Sequence, residues 1–479
     1  MRPHIIFRYT GIILLFNAGF LFVSSLISLV YSDSAIMPLL YSAITSTLFG
    51  IFPFIFVPPT SEISNKEGFI IVVSSWLISC LIGVMPYMLW GGEFSLTNAW
   101  FESVSGFTTT GSTILTDIES LPNGLLFWRA STHWIGGIGI IIFVLSVIPS
   151  MGKSGMILYK AEMSVLATEN FHFRAKKALH ILAIVYVGLT IGEIVCLLFC
   201  GMNLFDAVTH SFATIATGGF STKNSSIAHY GSISIEIVVM VFMVLSGIHF
   251  GLLFSAIRER TSDILRSPVT KYYLSALIIG IIIIAIDIYY TRSMSIGHAL
   301  RDSAFQVISL GTSTGFATAD TTGWPSFSQI ILIFFTLQCA CAGSTSGGIK
   351  TDRMVIFWKG VQKRLSMMKH PHAVITPKLG GSPIDIETFE SCFIYIVLYV
   401  VTVFVSSLIL TAFGVDLLSA FSGSAAAMGN VGPGFGTVGS MGNFSLIPDP
   451  GKWVLSFTML LGRLEIFALI LFVTIKSWK

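Results

Sequence analysis

Four segments of this chain set hydroxyl, amide and glycine residues in otherwise apolar surroundings. They are AWFESVSGFTTTGST, AVTHSFATIATGGFST, SAFQVISLGTSTGFAT and AFSGSAAAMGNVGPGFG. The chemistry open to such a pattern is cation coordination. Glycine permits positive φ, so successive carbonyls can turn to one side instead of pairing in a helix. A ring of carbonyls can then replace an ion's hydration shell. Threonine hydroxyls add oxygen ligands or brace the strand. The candidate ligands are Thr109, Thr110 and Gly111, then Thr217, Gly218 and Gly219, then Thr314 and Gly315, then Asn430, Val431 and Gly432. The fourth segment has no hydroxyl beside its glycine, which makes the set asymmetric. One T-G or G-G pair would be an ordinary turn; four at matched positions are not explained that way.

A second stretch, ACAGSTSGGIKT (340–351), looks at first like a phosphate-cradling loop. That motif requires lysine directly after its last glycine. Here Gly343 is followed by Ser344, Thr345, Ser346, Gly347 and Gly348, and Ile349 then separates Gly348 from Lys350. The nucleotide reading therefore fails. The apolar run before the loop, Ile330 to Ala342, has 13 residues, too few to cross a bilayer. The chain must stop at membrane depth, where unwound backbone is tolerated only against protein or a cavity.

Enzymatic alternatives lack their residues. H-E-x-x-H does not occur, which removes the usual zinc hydrolase signature. The one G-x-S-x-G match, Gly311 to Gly315, is part of the third glycine segment and follows no strand, as a serine hydrolase elbow would require. No link between apolar runs is long enough for a soluble nucleotide domain. The six cysteines (Cys80, Cys196, Cys200, Cys339, Cys341, Cys392) all lie in apolar runs and read as small buried hydrophobes. The histidines, including His133, His210 and His249, show no metal spacing and receive no role.

The elements that position these segments follow from composition. Of 479 residues, 53% are hydrophobic and 11% charged, and the mean hydropathy is +0.83. So little charge cannot cover a water-facing surface; soluble domains carry roughly 25%. Candidate spans are 10–31, 36–57, 68–90, 125–148, 178–201, 233–257, 272–290, 391–413 and 454–475. Aligned on Gly111, Gly219, Gly315 and Gly432, the four glycine segments recur at intervals of 108, 96 and 117 residues. Each follows one span and precedes another, with residues such as Thr97 to Phe107 forming a short helix. Its C-terminal end carries partial negative charge, which favours a cation there. The expected fold is an all-α polytopic membrane protein: four span–pore-loop–span repeats around one central pore, plus two extra N-terminal spans. The boundaries read as 1–60 for the extra spans, then 61–155, 156–262, 263–370 (with the intramembrane loop) and 371–479 for the repeats.

Basic residues set the orientation. The links 149–177, 258–271 and 350–378 hold five, four and seven Lys or Arg. Links within repeats hold few: Lys223, Arg292, Arg301 and Lys452, with Arg129 near a helix start. By the positive-inside rule, the repeat-to-repeat links and both termini are expected in the cytoplasm. The N-terminal run, with Arg2 and Arg8 before it and no small-residue cleavage site, reads as a retained span.

Three further features carry two readings each. Arg463, in the span 454–475, either faces the pore below the loops or makes an interhelix pair, since a charge at that depth needs a cavity or partner. WIGGIGIII (134–142) either packs helices closely around the pore or binds a ligand. MKHPHAV (368–374) is either ordinary cytoplasmic charge or part of a docking face.

Taken in order, FESVSGFTTTGST, WIGGIGIII, HSFATIATGGFST, CAGSTSGGIK and GRLEIFALI resemble the TrkH family, the membrane subunits of bacterial Trk potassium uptake systems within the Trk/Ktr/HKT superfamily. The resemblance covers nearly the whole chain, including the two extra N-terminal spans. It implies a potassium filter built from the four loops, with Gly111, Gly219, Gly315 and Gly432 as the glycines that support selectivity. It implies that the loop Gly343–Gly348 closes the pathway below the filter and that Arg463 lies on the pore. It further implies a homodimer in the bacterial inner membrane and a TrkA-type cytoplasmic subunit that binds the regulatory nucleotide. The transported ligand is then the potassium ion, with no cofactor held by this chain. A sodium- or ammonium-permeable relative, or an ion-coupled cation symporter, remains the alternative on the same fold.

Overall fold

The computed structural model describes residues 2–58, 65–146, 171–259, 263–373, 375–380 and 382–466. The basic link 149–177 falls largely outside these residues, as does the last span beyond 466.

Long apolar helices dominate. Among the described residues, six are long and apolar enough to cross a membrane, or seven when one bent pair is counted as a span. The first two, Pro3–Tyr31 and Ile36–Phe56, pack antiparallel. They approach closely where Gly11 meets the Gly50 carbonyl, the small-residue contact expected between helices in lipid. Arg2 ties this pair to the next helix through an ion pair with Glu67 at 2.8 Å.

Four units follow, each with a long helix, a short helix and a second helical segment. In the first they are Asn65–Trp90, Leu96–Phe107 and Asn123–Ser146. In the second they are Phe171–Phe199, Leu204–Ile215 and the pair Ile233–Ser246 with Phe250–Glu259. The third has Pro268–Arg292, Ile296–Gly311 and Ser326–Leu337, and the fourth Ile386–Ala412, Leu417–Gly429 and Asp449–Arg463. Large exposed residues such as Phe52, Ile191, Ile282 and Phe404 cover the outward faces, as lipid contact requires. The short helices and the loops after them are buried within the bundle.

The structure corrects four expectations. The span 233–257 is not one straight helix; it bends by 105° across Gly247–His249. A hydropathy window cannot register such a break, because both arms are apolar. The last span is broken: its helix Asp449–Arg463 ends, Glu465 takes a φ of +59°, and Ile466 is helical again. The link 350–378 is mostly a helix, Thr351–Lys369, before a two-residue-per-strand hairpin, Lys378–Leu379 with Ser382–Pro383. Two of its basic residues, Lys350 and Arg353, are buried, so they are not cytoplasmic surface charges. Arg353 pairs with Glu465 at 2.7 Å and lies over the Tyr395 ring.

Candidate functional site: a ring of four glycine loops

Each short helix starts on a polar cap. Ser95, Asn203, Ser295 and Asp416 accept the N–H of Asn98, Asp206, His298 and Ser419 respectively. Such caps satisfy donors that a helix start leaves orphaned. All four helices end the same way. A non-glycine residue takes left-handed backbone, with φ of 53° at Thr109, 54° at Thr217, 59° at Ser313 and 50° at Asn430. Two residues later comes a glycine, with φ of 80° at Gly111, 79° at Gly219, 83° at Gly315 and 95° at Gly432. A side chain in left-handed backbone costs roughly 1–2 kcal/mol, and such strain concentrates at functional sites.

The four loops close on one another. A Cβ on Gly111 would overlap the Gly218 carbonyl oxygen, and one on Gly219 would overlap that of Thr314. A Cβ on Gly315 would overlap the carbonyl oxygen of Val431, and one on Gly432 would lie 2.7 Å from that of Thr110. Every glycine therefore abuts the carbonyl just before the glycine of the next loop, and the fourth returns to the first. Only glycine fits at all four positions. The result is a closed ring in sequence order, with the C-terminal ends of four short helices behind it.

Buried polar groups brace the ring. Glu102 and Arg129 form an ion pair at 2.7 Å, each almost wholly buried. Glu102 also accepts from the Thr113 hydroxyl and the Ile114 N–H, while Arg129 reaches the Ser221 carbonyl and lies over Phe220. The pair thus links the strands after Gly111 and Gly219. His133 does the same work one layer deeper: Nδ1 meets the Gly106 carbonyl at 2.8 Å, and Nε2 accepts the Phe220 N–H at 3.1 Å. In the second loop His210 Nε2 bonds the Ser221 hydroxyl. In the third, Gln306 donates to the Ala319 carbonyl. In the fourth, Ser422 accepts the Phe435 N–H. Glu102, His210 and Gln306 each lie nine positions before their glycine. Arg129→Met is expected to lower stability by about 3–5 kcal/mol, because Glu102 is left charged and unpaired. Adding Glu102→Gln should recover part of that loss. Thermal unfolding of the solubilised variants measures both.

Beneath the ring lies the loop 338–350. The helix Ser326–Leu337 stops short, and every residue from Ser344 to Ser346 is buried. The Thr345 hydroxyl donates to the Ile215 carbonyl at 2.9 Å, at the end of the second short helix. The third loop contributes Ser313, whose hydroxyl donates to Ser346 and accepts the Gly347 N–H, both at 3.0 Å. Gly347 abuts the Gly429 carbonyl in the fourth unit. Arg463 donates to the Thr345 carbonyl at 2.8 Å and to the Gly136 carbonyl at 3.1 Å. The bent second-unit pair holds the near end, through Cys341 N–H to the Gly247 carbonyl and Phe250 N–H to the Gly343 carbonyl. The His249 ring packs directly on Gly343, where φ is +73°. One loop is thereby fixed to all four units.

The spaces above and below differ. Above the ring, a cavity of about 70 Å³ is lined by all four ring glycines together with Ser112, Arg129 and Lys223. Below the loop, between Gly347, Lys350, Gly462 and Arg463, only about 10 Å³ is free, room for one water at most.

The structure brings together the residues singled out in the sequence. Thr109, Thr110, Gly111, Thr217, Gly218, Gly219, Thr314, Gly315, Asn430, Val431 and Gly432 all lie on the ring, and Gly343 through Gly348 with Arg463 lie beneath it. Of the hydroxyls, Thr110 and Thr314 bond to Thr108 and Thr312, so they brace. The buried Thr109 hydroxyl has no hydrogen-bond partner among the described residues. Asn430 makes up for the missing fourth hydroxyl by donating to Thr110 at 3.0 Å. Arg463 meets the loop carbonyls beneath the ring, while Glu465 pairs with Arg353. WIGGIGIII is a packing surface: Gly136 abuts the Phe107 carbonyl and Gly137 abuts Ala216. Cys196 and Cys200 are half-buried, unlike the other four cysteines. Sequence reasoning missed Ser313, His133, His210 and His249. Ser313 was recoverable from its register with Thr109 and Thr217; the histidines gave no local signal.

The comparisons with known proteins agree with this geometry. A family model described as TrkH, cation transport protein, matches residues 39–478. The Trk system potassium uptake protein TrkH of Escherichia coli K12 is 34% identical, with 100% of both chains covered. The protein of the same name from Halomonas elongata is 32% identical over the full length of both. The crystal structure of the potassium transporter TrkH from Vibrio parahaemolyticus superposes with a TM-score of 0.90 at 31% identity, covering 100% of each chain. A closed ring of four capped helix ends in a multispan helical bundle, matched along its whole length by these proteins, places the chain in the TrkH family of cation transport proteins.

Proposed function

We propose that this protein carries potassium into the cell through the central ring. The observation that supports it best is the cyclic contact of Gly111, Gly219, Gly315 and Gly432 with the carbonyls of the next loop. A ring of carbonyls facing four negative helix ends suits a partly dehydrated cation. The potassium ion is the transported ligand. It is recognised by the ring carbonyls and by the free Thr109 hydroxyl. Gly343–Gly348 and Arg463 form the closed gate, since they fill the path beneath the ring. The repeats 61–155, 156–262, 263–370 and 371–479 are the pore units, and 1–60 is an accessory pair of spans. The protein works as a homodimer in the bacterial inner membrane, with both termini cytoplasmic. A TrkA-type subunit supplies nucleotide control from that side; the names of the relatives support only membership of a potassium uptake system.

Cation flux in liposomes tests the reading. Potassium and rubidium should pass well ahead of sodium, with ammonium compared alongside, and an imposed voltage should drive the flux. Equal rates for all cations, or flux indifferent to voltage, would count against a selective pore.

A further inference from the structure

The cavity above the ring holds a charge of the wrong sign for a cation entrance. Two basic residues line it, Arg129 and Lys223. Arg129 is neutralised by Glu102 at 2.7 Å. Lys223 is half-buried, and its side chain has no ion-pair partner among the described residues. Its root is nevertheless fixed. The Lys223 N–H donates to the Ser221 hydroxyl at 3.0 Å, and His210 Nε2 bonds that same hydroxyl at 2.9 Å. The lysine therefore leaves the strand at a set height, four residues after Gly219. At the matching position the other loops carry Leu115, Ala319 and Gly436, so the ring's entrance has one built-in ammonium and no counterpart.

The nearby carboxylates are occupied. Asp117 and Glu119 accept from the side chain and N–H of Asn224. Asp206 accepts from the Thr222 hydroxyl and from Asn203. These groups soften the field of Lys223, but none is bonded to its ammonium. A fixed charge in a cleft with low-dielectric walls changes the local counter-ion concentration and the entry rate of ions.

We propose that Lys223 sets the apparent affinity of cation entry. Its ammonium lowers the occupancy of the outer vestibule by external cations, and so sets the apparent affinity of uptake without changing which ion the ring prefers. This rests on the reading of the ring as the cation pathway.

Uptake kinetics of the full chain, in cells without other potassium uptake or in oriented liposomes, test it. Lys223→Met, which keeps the packing of the stem, should lower the KM for potassium by about twofold to fivefold at low ionic strength, as expected for one charge across a few ångströms of partly screened solvent. Lys223→Glu should lower it further, and Lys223→Arg should match the parent. The differences should collapse at about 0.3 M salt, where the Debye length is shorter than at physiological strength. The potassium-to-sodium ratio and the maximal rate should stay as in the parent. A KM that is the same for Lys, Met and Glu overturns the proposal, as does a change that persists in high salt or is shared by Lys223→Arg. Failure of the parent to discriminate potassium from sodium would instead overturn the pore reading itself, so the two failures are separable.

Discussion

Gly111→Ser is expected to lower the potassium-to-sodium flux ratio by roughly tenfold or more, in a protein that still folds. The added Cβ overlaps the Gly218 carbonyl oxygen, so the first and second loops must separate or rotate. Overpacking of this kind costs about 1–3 kcal/mol, and about 1.4 kcal/mol is a factor of ten in an equilibrium. In the proposed pore that cost falls on the carbonyls that would ligate the cation, because the displaced atom belongs to the ring. Part of the penalty is the positive φ of +80°, which disfavours any side chain. Gly91→Ser separates the two effects. Gly91 has a φ of +87° and open space where a Cβ would go, so the strain is comparable and the ring is untouched. Liposome flux should show an unchanged ion ratio for Gly91→Ser and a collapsed one for Gly111→Ser. Equal ratios in both variants would place selectivity elsewhere.

Arg463→Ala should raise resting cation flux by about tenfold or more. Arg463 is 2% exposed, and its guanidinium bonds the carbonyls of Thr345 and Gly136. Hydrogen bonds to charged groups contribute about 1.5–3 kcal/mol each, and here one of them holds the centre of the buried loop. Removing the side chain releases the loop and also removes a positive charge from the path beneath the ring. Arg463→Lys divides these contributions. It keeps the charge but cannot span both carbonyls with a fixed planar fork, so its flux should fall between parent and alanine. Flux equal to the parent in a folded Arg463→Ala protein would show that the loop is held shut without it.

The four loops were legible because their chemistry is local. A glycine two residues after the left-handed helix end is required by backbone sterics in each repeat, and the sequence shows it directly. The short loop at 343–348 was legible from length, since 13 apolar residues cannot cross a bilayer. What was not legible depends on tertiary partners. The 105° bend at Gly247–His249 sits inside a continuous apolar run, and its cause is the docking of residues Cys341 and Gly343 onto the exposed backbone. Arg353 counts as one more cytoplasmic cation until Glu465, 112 positions away, is seen beside it. His133 and His210 lack metal spacing because they serve as braces, each bonding a strand that no local pattern connects to it. Repetition therefore revealed the ring but only part of its asymmetry. Ser313, Asn430 and Lys223 each occupy a matched position with a different group, and each difference has a distinct consequence for the gate, the fourth loop or the entrance.

One proposed cation pathway runs through the ring of Gly111, Gly219, Gly315 and Gly432. Anomalous diffraction from crystals of the protein grown with rubidium tests it most directly. A rubidium peak is expected on the ring's axis, level with the carbonyls of Thr110, Gly218, Thr314 and Val431, and it should be lost when sodium replaces rubidium. A well-ordered ring with no peak there, or a peak that sodium leaves unchanged, would contradict it.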